Sequence, residues 1–470
     1  MKKIISFVVV FFVVQGAFSE TRYVSPAGGN TSPYTSWASA ANNIQDAVDA
    51  ATNGETVVVA SGIYNTGARV TPGFTLSNRV VITKNITLES ENGPENTIIA
   101  GAGPNGDQAI RCVFMTNSAK LVGFTLSNGH TKTSASTLPE YFYNKSGGGA
   151  FMVDKCYVSN CFFVNNSADH SGGGLYCYYS GTAEYCRFTY NTAGGGGGVS
   201  FYASVSGSSL LENSVVIGND AAYAGGGVSI DNAHDMRKCF ISGNSANNGG
   251  GVYLKSFQTV EACTISNNFA RNLGGGVYIE NSGGHNILTS CLIVDNVATN
   301  KGGGVYHYQF GFTKNCTIAR NSAGVSGGGI FNYLGGGAIN SIMYFNEAPA
   351  GTNFGYTLGY PPYSYCCTTP CPWTNCATYF TITNDPEFVD LAANNFRLNE
   401  WSACIDTGNT AEVGWGATDL DGNPRIHDGK VDMGCYEYIP EPTTFWILNF
   451  GFWILIPFFR SRVRRSAFAT

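Results

Sequence analysis

Between Cys161 and Ala348 the chain repeats one unit eight times, about every 25 residues: apolar-x-x-Asn-x-Ala, opened two places earlier by Cys in six of the eight, then, in all but the last, a short spacer, Gly-Gly-Gly and an aliphatic residue. The asparagine falls at Asn166, Asn191, Asn219, Asn244, Asn268, Asn296, Asn321 and Asn346. Two places on, the alanine falls at Ala168, Ala193, Ala221, Ala246, Ala270, Ala298, Ala323 and Ala348. A period too short for a globular domain, built on β-branched residues and punctuated by glycine, restricts such a chain to a solenoid in which each repeat is one turn. A solenoid grows along one axis, so 470 residues need no division into separate cores.

The residues after each triple glycine alternate in character. Ala150, Leu175, Val199, Val228, Val252, Val277, Val305 and Ile330 lead the segments, and two places later stand Met152, Cys177, Phe201, Ile230, Leu254, Ile279, His307 and Asn332. A mostly apolar face with a period of two is a strand turned inward on that face. The intervening positions hold Tyr176, Tyr178, Tyr202, Asp231, Tyr253, Lys255, Tyr278, Glu280, Tyr306, Tyr308 and Tyr333, and are expected to look outward. A second strand ends in a Cys-x-apolar pair, also inward: Cys161 with Phe163, Cys186 with Phe188, Cys239 with Ile241, Cys263 with Ile265, Cys291 with Ile293 and Cys316 with Ile318.

In a parallel stack like residues sit about 4.8 Å apart, one rung to the next. The asparagines are therefore expected to form an amide ladder along the axis, the alanines to mark places too tight for a larger side chain, and the glycines to allow positive φ and close backbone approach. The fold class these positions predict is all-β: a right-handed parallel β-helix of about 25 residues per coil, the hand following from the general preference of parallel crossovers. The Phe163 to Asn166, Phe188 to Asn191 and Ile318 to Asn321 spacings, with Gly-Gly-Gly-Val at 249–252 and 274–277, resemble the chlamydial polymorphic membrane protein repeats. Those repeats pair Phe-x-x-Asn with Gly-Gly-Ala-aliphatic, so this chain departs by one Ala-to-Gly change. Arg22-Tyr23-Val24-Ser25, Ile44-Gln45-Asp46-Ala47-Val48 and Gly54 to Val59 are similar to the opening of pectate-lyase-like β-helices, which implies a first strand, a short capping helix and a second strand.

The ends carry addresses. Lys2 and Lys3, the apolar run Ile4 to Val14 and Ala17-Phe18-Ser19 read as a secretory signal peptide over residues 1–19, too short to span a membrane. Pro440, Glu441 and Pro442, an apolar stretch at 445–459 and then Arg460, Arg462, Arg464 and Arg465 resemble the PEP-CTERM sorting signal of Gram-negative surface proteins. That resemblance implies an exosortase-type processing partner and a membrane anchorage before processing; a plain C-terminal anchor is the alternative. Between them, Asp385 to Asp390, Asn395 to Leu398, Ala403 to Gly408, Asp419 to Arg425 and Asp432 to Glu437 are similar to the choice-of-anchor Q domain, a short β-rich segment that implies location and no reaction. The expected organisation is signal peptide 1–19, β-helix 20–380 with regular repeats at 147–348, C-terminal segment 381–438 and sorting signal 439–470, in a protein carried to the cell surface, outer envelope or matrix. A loop at about His130 to Ser146 is expected to project before the first triple glycine.

The formal net charge of −6, with no basic cluster outside the last residues, argues against nucleic acid as a partner. The chain has 15 cysteines, but stacked cysteines point the same way at the rung spacing, beyond disulfide reach, and read as buried thiols. Cys366, Cys367, Cys371 and Cys376 crowd one loop where a disulfide is expected, and Cys404 with Cys435 is a second candidate pair.

Chemistry is sparse. A lyase of this fold needs an Arg or Lys base with carboxylate-held calcium, and a hydrolase needs clustered aspartates; neither constellation is visible in the repeats. Asp231, Lys255 and Glu280 share one outward position on three successive rungs and read as a surface ion-pair row. Asp419-x-Asp421-x-Asn423 resembles the start of an EF-hand loop, but Pro424 replaces the required Gly and Lys430 the bidentate Glu. His307, inward beside Asn332, reads as a hydrogen-bonded core pair. No cofactor, metal or catalytic residue is assigned. The candidate binding residues are the outward tyrosines Tyr176, Tyr178, Tyr202, Tyr253, Tyr278, Tyr306, Tyr308 and Tyr333, whose rings are suited either to a polysaccharide or cell-surface partner or to stacking on one another. Non-catalytic binding of a glycan or of a cell-surface or matrix component is the expected function, with a polysaccharide lyase or glycoside hydrolase of the pectate-lyase-like superfamily as the alternative.

Overall fold

A computed structural model describes residues 20–440 apart from 203–206, 233, 257, 281–285, 359–361 and 372–375. The proposed signal peptide, Glu441, Pro442 and the apolar tail therefore lie outside the described residues. The chain winds as a parallel β-helix of the right-handed class, with three long sheets of 13, 12 and 12 strands and a fourth of six. Sheet I runs from Thr21–Val24 to Tyr363–Ser364, sheet II from Gly62–Tyr64 to Cys367–Thr368, sheet III from Arg69–Val70 to Phe354–Tyr356, and sheet IV from Thr192–Gly195 to Ser322–Ala323. From Thr192 to Ala323 each coil passes through sheet I, sheet II, the asparagine, sheet IV, the glycines and sheet III; the earlier coils go from sheet II to sheet III without a sheet IV strand. The register is the one the repeat demands: Val252 pairs with Val277, Val277 with Val305 and Val305 with Ile330.

The inward residues form one continuous core from Val24 to Cys366. At its N-terminal end the helix Ile44–Ala50, N-capped by Asn43, turns Ile44, Ala47 and Val48 into that core. The stacked cysteines are buried and unpaired, and each sulfur is used locally: Cys263 Sγ donates to Glu261 O at 3.3 Å and accepts from Cys239 N at 3.4 Å. Ser214 and Ser341 continue the column, their hydroxyls accepting from Cys186 N at 3.1 Å and Cys316 N at 3.2 Å.

The asparagine ladder is unbroken from Asn166 to Asn353. Each Nδ2 donates to the next Oδ1 at 2.9–3.0 Å, and the same oxygen also accepts the preceding asparagine's backbone N–H. Gly251 shows why the neighbouring column is glycine: a Cβ there would lie 2.7 Å from Gly276 O and 2.9 Å from Asn268 Nδ2. Gly249 turns the corner at φ +62°, a conformation that disfavours any side chain. The alanine column is fully buried at Ala221, Ala246 and Ala270, and half-buried at Ala193 and Ala348.

His307 Nδ1 donates to Asn332 Oδ1 at 2.6 Å and its Nε2 accepts from Thr313 Oγ1 at 3.3 Å, which holds the ring neutral. Burial pushes its pKa down to about 4. A folded value below the unfolded one near 6.5 means that the unfolded chain takes up the proton first, so stability is intact above pH 6.5 and falls as pH drops toward 4. The loss reaches about 3 kcal/mol at pH 4 for this one ring. Denaturation midpoints at pH 7 and pH 4 are expected to differ less in His307→Gln than in the parent; equal differences would contradict the assignment.

Residues 130–146 do not project. They fold back as the helix Leu138–Lys145, opened by a Thr137/Glu140 capping box, because Phe142 and Tyr143 cover Phe114, Phe151 and Tyr176 on the outside of sheet III. Asn144 fastens it, accepting from Thr75 N and Leu76 N.

The C-terminal segment lies on the outside of sheet II, and the two form one compact unit that ends at Tyr438. Phe396, Cys435 and Tyr436 pack on Leu292, Val294 and Ala319; Leu398, Cys404 and Met433 pack on Ile342 and Cys367. Asn340 and Asn409 exchange side-chain and backbone hydrogen bonds across this contact. Asp419 is a local brace here: its carboxylate accepts from the backbone of Asp421, Asn423 and Glu437. The crowded loop holds a Cys371–Cys376 disulfide. The Cys404–Cys435 pair expected from the sequence is absent: both are unpaired, Cys404 packing with Cys367 while Cys435 faces Thr317. The segment presents the two cysteines to different coils, which separates them.

Candidate functional site

The outside of sheet III carries two side-chain columns in register. One runs Phe151, Tyr176, Ser200, Ser229, Tyr253, Tyr278, Tyr306 and Phe331; the other places Tyr178 opposite Tyr202 and Tyr202 opposite Asp231, and continues through Lys255, Glu280, Tyr308 and Tyr333. Strand alternation sends every one of these side chains away from the core, as the sequence implies. Exposure divides them. Tyr176 is 1% exposed, Tyr278 8% and Tyr306 4%, so three of the eight tyrosines expected at the surface are buried. The Leu138–Lys145 helix covers Tyr176, and cross-rung stacking together with half-buried Leu273 covers the other two.

The stacking is regular. Tyr253 lies on Tyr278 at 5.4 Å, Tyr278 on Tyr306 at 5.2 Å and Tyr306 on Phe331 at 5.5 Å, with planes within 11° of parallel. Lys301 Nζ sits 4.5 Å over the Phe331 ring. In the second column Tyr178 stacks on Tyr202 at 5.7 Å and Tyr308 on Tyr333 at 5.2 Å. Ring faces are thus engaged between rungs, where aromatic pairs contribute about 0.5–1.5 kcal/mol each beyond burial. What this column offers outward is ring edges and phenol groups.

The half-buried second column is the accessible line. Two tyrosine pairs, Tyr178/Tyr202 and Tyr308/Tyr333, flank the charged centre Asp231, Lys255 and Glu280, seven rungs spanning about 29 Å at ~4.8 Å each. Lys255 Nζ pairs with Asp231 Oδ2 at 3.2 Å, whereas Asp231 Oδ1 is buried without a hydrogen-bond partner. Glu280 makes no ion pair among the described residues; burial, and secondarily the Asp231 charge, raise its pKa above the usual carboxylate range. The row is therefore a pair and a separate carboxylate rather than a closed ion-pair ladder. Ser200 and Ser229 beside it interrupt the aromatic column. Small residues at a register otherwise filled by tyrosine are the signal that the sequence carries for this break.

Among the described residues no group of three His, Cys, Asp or Glu side chains is placed to hold a metal ion. A recess of about 380 Å³ near the N-terminal end is lined by Asn43, Asp46, Arg69 and Arg79. Its charges are already occupied: Arg69 with Asp49, Arg79 with the Ala100 and Gly101 carbonyls, and Asp46 with Asn43.

The family described as "Right handed beta helix region" matches residues 173–347, and the "Chlamydia polymorphic membrane protein (Chlamydia_PMP) repeat" matches residues 160–178. No curated protein matches the chain. Among solved structures the chain is similar to pectate lyase Pel9A, at 15% identity and a TM-score of 0.46 over 90% of this chain and 97% of that one. It is also similar to the A-module of the Azotobacter vinelandii mannuronan C-5 epimerase AlgE4, at 15% identity and 0.41 over 66% and 90%, and to a rhamnogalacturonan lyase, at 13% and 0.38 over 84% and 97%. At such identities and TM-scores they bear on no residue of this chain.

Proposed function

We propose that the protein is an exported β-helix protein that binds an extended polysaccharide along the outside of sheet III. The observation that carries this reading is the accessible column: phenols and charges in register on seven successive rungs fit a linear repeating ligand better than a compact one. Sugar hydroxyls would bond to the phenols of Tyr178, Tyr202, Tyr308 and Tyr333 and to the central charges, while the buried Tyr176, Tyr278 and Tyr306 hold the platform rigid. Export draws support from the leader-like residues 1–19 and from the Cys371–Cys376 disulfide, which suits an oxidising compartment. Surface anchorage through the exosortase-type signal at 439–470 belongs to the same reading.

Titration of neutral glucan, polyuronate and amino-sugar polymers is expected to give binding by at least one class, weakened about tenfold or more by Tyr308→Ala or Lys255→Ala, a loss of about 1.4 kcal/mol. Binding to none of the three at millimolar sugar, or binding unchanged in both variants, would overturn it. One observation favours a second reading, cleavage of the bound chain: Glu280, with its raised pKa, lies one rung from Lys255. New reducing ends or unsaturated products, lost in Lys255→Ala and Glu280→Gln with folding intact, would establish it in place of simple binding.

A further inference from the structure

The accessible line on sheet III finishes differently at its two ends. One rung before Tyr178 the second column holds Val153, which pairs with it in register and is only 5% exposed. The first column is closed over the same rungs, for Phe114, Phe151 and Tyr176 are all buried. The Leu138–Lys145 helix covers them: its Tyr143 ring lies 4.8 Å from Phe151, and its Phe142 ring lies 5.7 Å from Tyr178 and 5.2 Å from Tyr202. At the opposite end, beyond Tyr333, Thr357 takes the next rung and is exposed, as is Leu358 after it.

The helix is held too firmly to act as a lid. The Thr137/Glu140 capping box fixes its first turn, and Asn144 accepts from Thr75 N at 3.2 Å and from Leu76 N at 3.1 Å. Arg111, fully buried, donates to Ser146 O and Gly147 O at 2.8 Å and lies 5.0 Å from the centre of the Phe151 ring. Lys145 pairs with Asp169 at 2.8 Å. The helix is thus tied to the coils before and after it. With its side chains an α-helix is about 10 Å thick, so a ligand chain lying along the phenols of Tyr202 and Tyr178 meets its flank.

We propose that this helix is the end wall of the binding line, so that sheet III takes one terminus of a linear polysaccharide, the rest of the chain leaving past Tyr333 and Thr357. The inference rests on the polysaccharide-binding reading above and adds to it which part of the polymer is bound. A face open at both ends binds internal stretches in many registers, and the number of protein molecules bound grows with polymer length. A face closed at one end admits one protein molecule at each terminus of the matching kind, whatever the length of the chain behind it. The protein therefore marks chain ends rather than coating the polymer.

The test is isothermal titration of the full-length protein with linear glucan, polyuronate and amino-sugar chains, each in two preparations, one just longer than the ~29 Å line and one about tenfold longer. For the class that binds, one protein molecule per chain at both lengths is the expected result. A number per chain that rises with length overturns the inference and leaves the reading of sheet III intact, whereas binding to none of the three classes overturns both. As a second measurement, residues 134–145 are replaced by a glycine-serine linker, with hydrogen exchange in the asparagine ladder as the check on folding. The folded variant is expected to bind several molecules per long chain, and a variant that still binds once per chain would show that the helix does not close the line. The titration of the parent protein decides alone if the linker variant does not fold.

Discussion

Asn268→Ala is expected to destabilise the β-helix by about 4–6 kcal/mol, a large share of the 5–15 kcal/mol that holds an ordinary domain together. Asn268 Oδ1 accepts from Asn244 N and Asn244 Nδ2, both at 3.0 Å, and its Nδ2 donates to Ile241 O at 3.1 Å and Asn296 Oδ1 at 2.9 Å. Alanine removes all four bonds, at about 0.5–1.5 kcal/mol each, and leaves Asn244 N–H buried without a partner, at a further cost of about 1–3 kcal/mol. Asn268→Asp offers no relief, because a second carboxylate oxygen then faces two acceptors. Stability in a solenoid passes through nearest neighbours, so hydrogen exchange is expected to accelerate in the coils on both sides of residue 268 first. Exposed Asn92→Ala serves as the control and is expected to change stability by less than about 0.5 kcal/mol. A loss below about 1.5 kcal/mol at Asn268 would mean that the ladder is dispensable.

Arg425→Leu is expected to loosen the C-terminal segment by about 3–5 kcal/mol, since removing one partner of a buried ion pair strands the other. Arg425 pairs with Glu437 at 3.1 Å with neither side chain measurably exposed beyond 1%, and it donates to Gly434 O and Asp432 O at 2.9 Å. Burial drives the Glu437 carboxyl up to about 8, and the Arg425 charge is the chief force holding it down. A carboxyl whose folded pKa lies above its unfolded value stabilises the fold below the unfolded pKa and loses that contribution as pH rises through the folded one. The defect of Arg425→Leu is therefore expected to be greater at pH 9, where Glu437 is charged, than at pH 5. Hydrogen exchange over residues 385–438 at the two pH values measures it, with the exposed Arg397–Asp421 pair as the control, whose removal is expected to cost less than about 1 kcal/mol. A pH-independent defect, or none, would show that Glu437 does not depend on Arg425.

The core of the β-helix was legible residue by residue. The asparagine ladder, the inward thiols, the alanine column and the His307–Asn332 pair each follow from one fact, that a repeat in parallel register places like beside like. The serines at Ser214 and Ser341 belong to the thiol column for the same reason, a small side chain at the same register accepting from the preceding cysteine's N–H. The outside of the sheets was legible only in direction. Alternation says that Tyr176 and Tyr308 both leave the core, but it does not say that Phe142 and Tyr143 will return to cover the first.

Repetition along the chain therefore decides everything that one coil shares with the next: the fold class, the register, which side chains point inward and the ladders they build. Contacts between segments that do not repeat are decided only when the chain has folded. The Leu138–Lys145 helix buries Tyr176 while leaving Tyr178 and Tyr202 half-exposed, and the docked C-terminal segment sends Cys404 to Cys367 rather than to Cys435. The physical reason is that the first set of contacts has a period and the second has none. Burial of an unrepeated surface depends on which apolar faces remain uncovered once the coils have stacked.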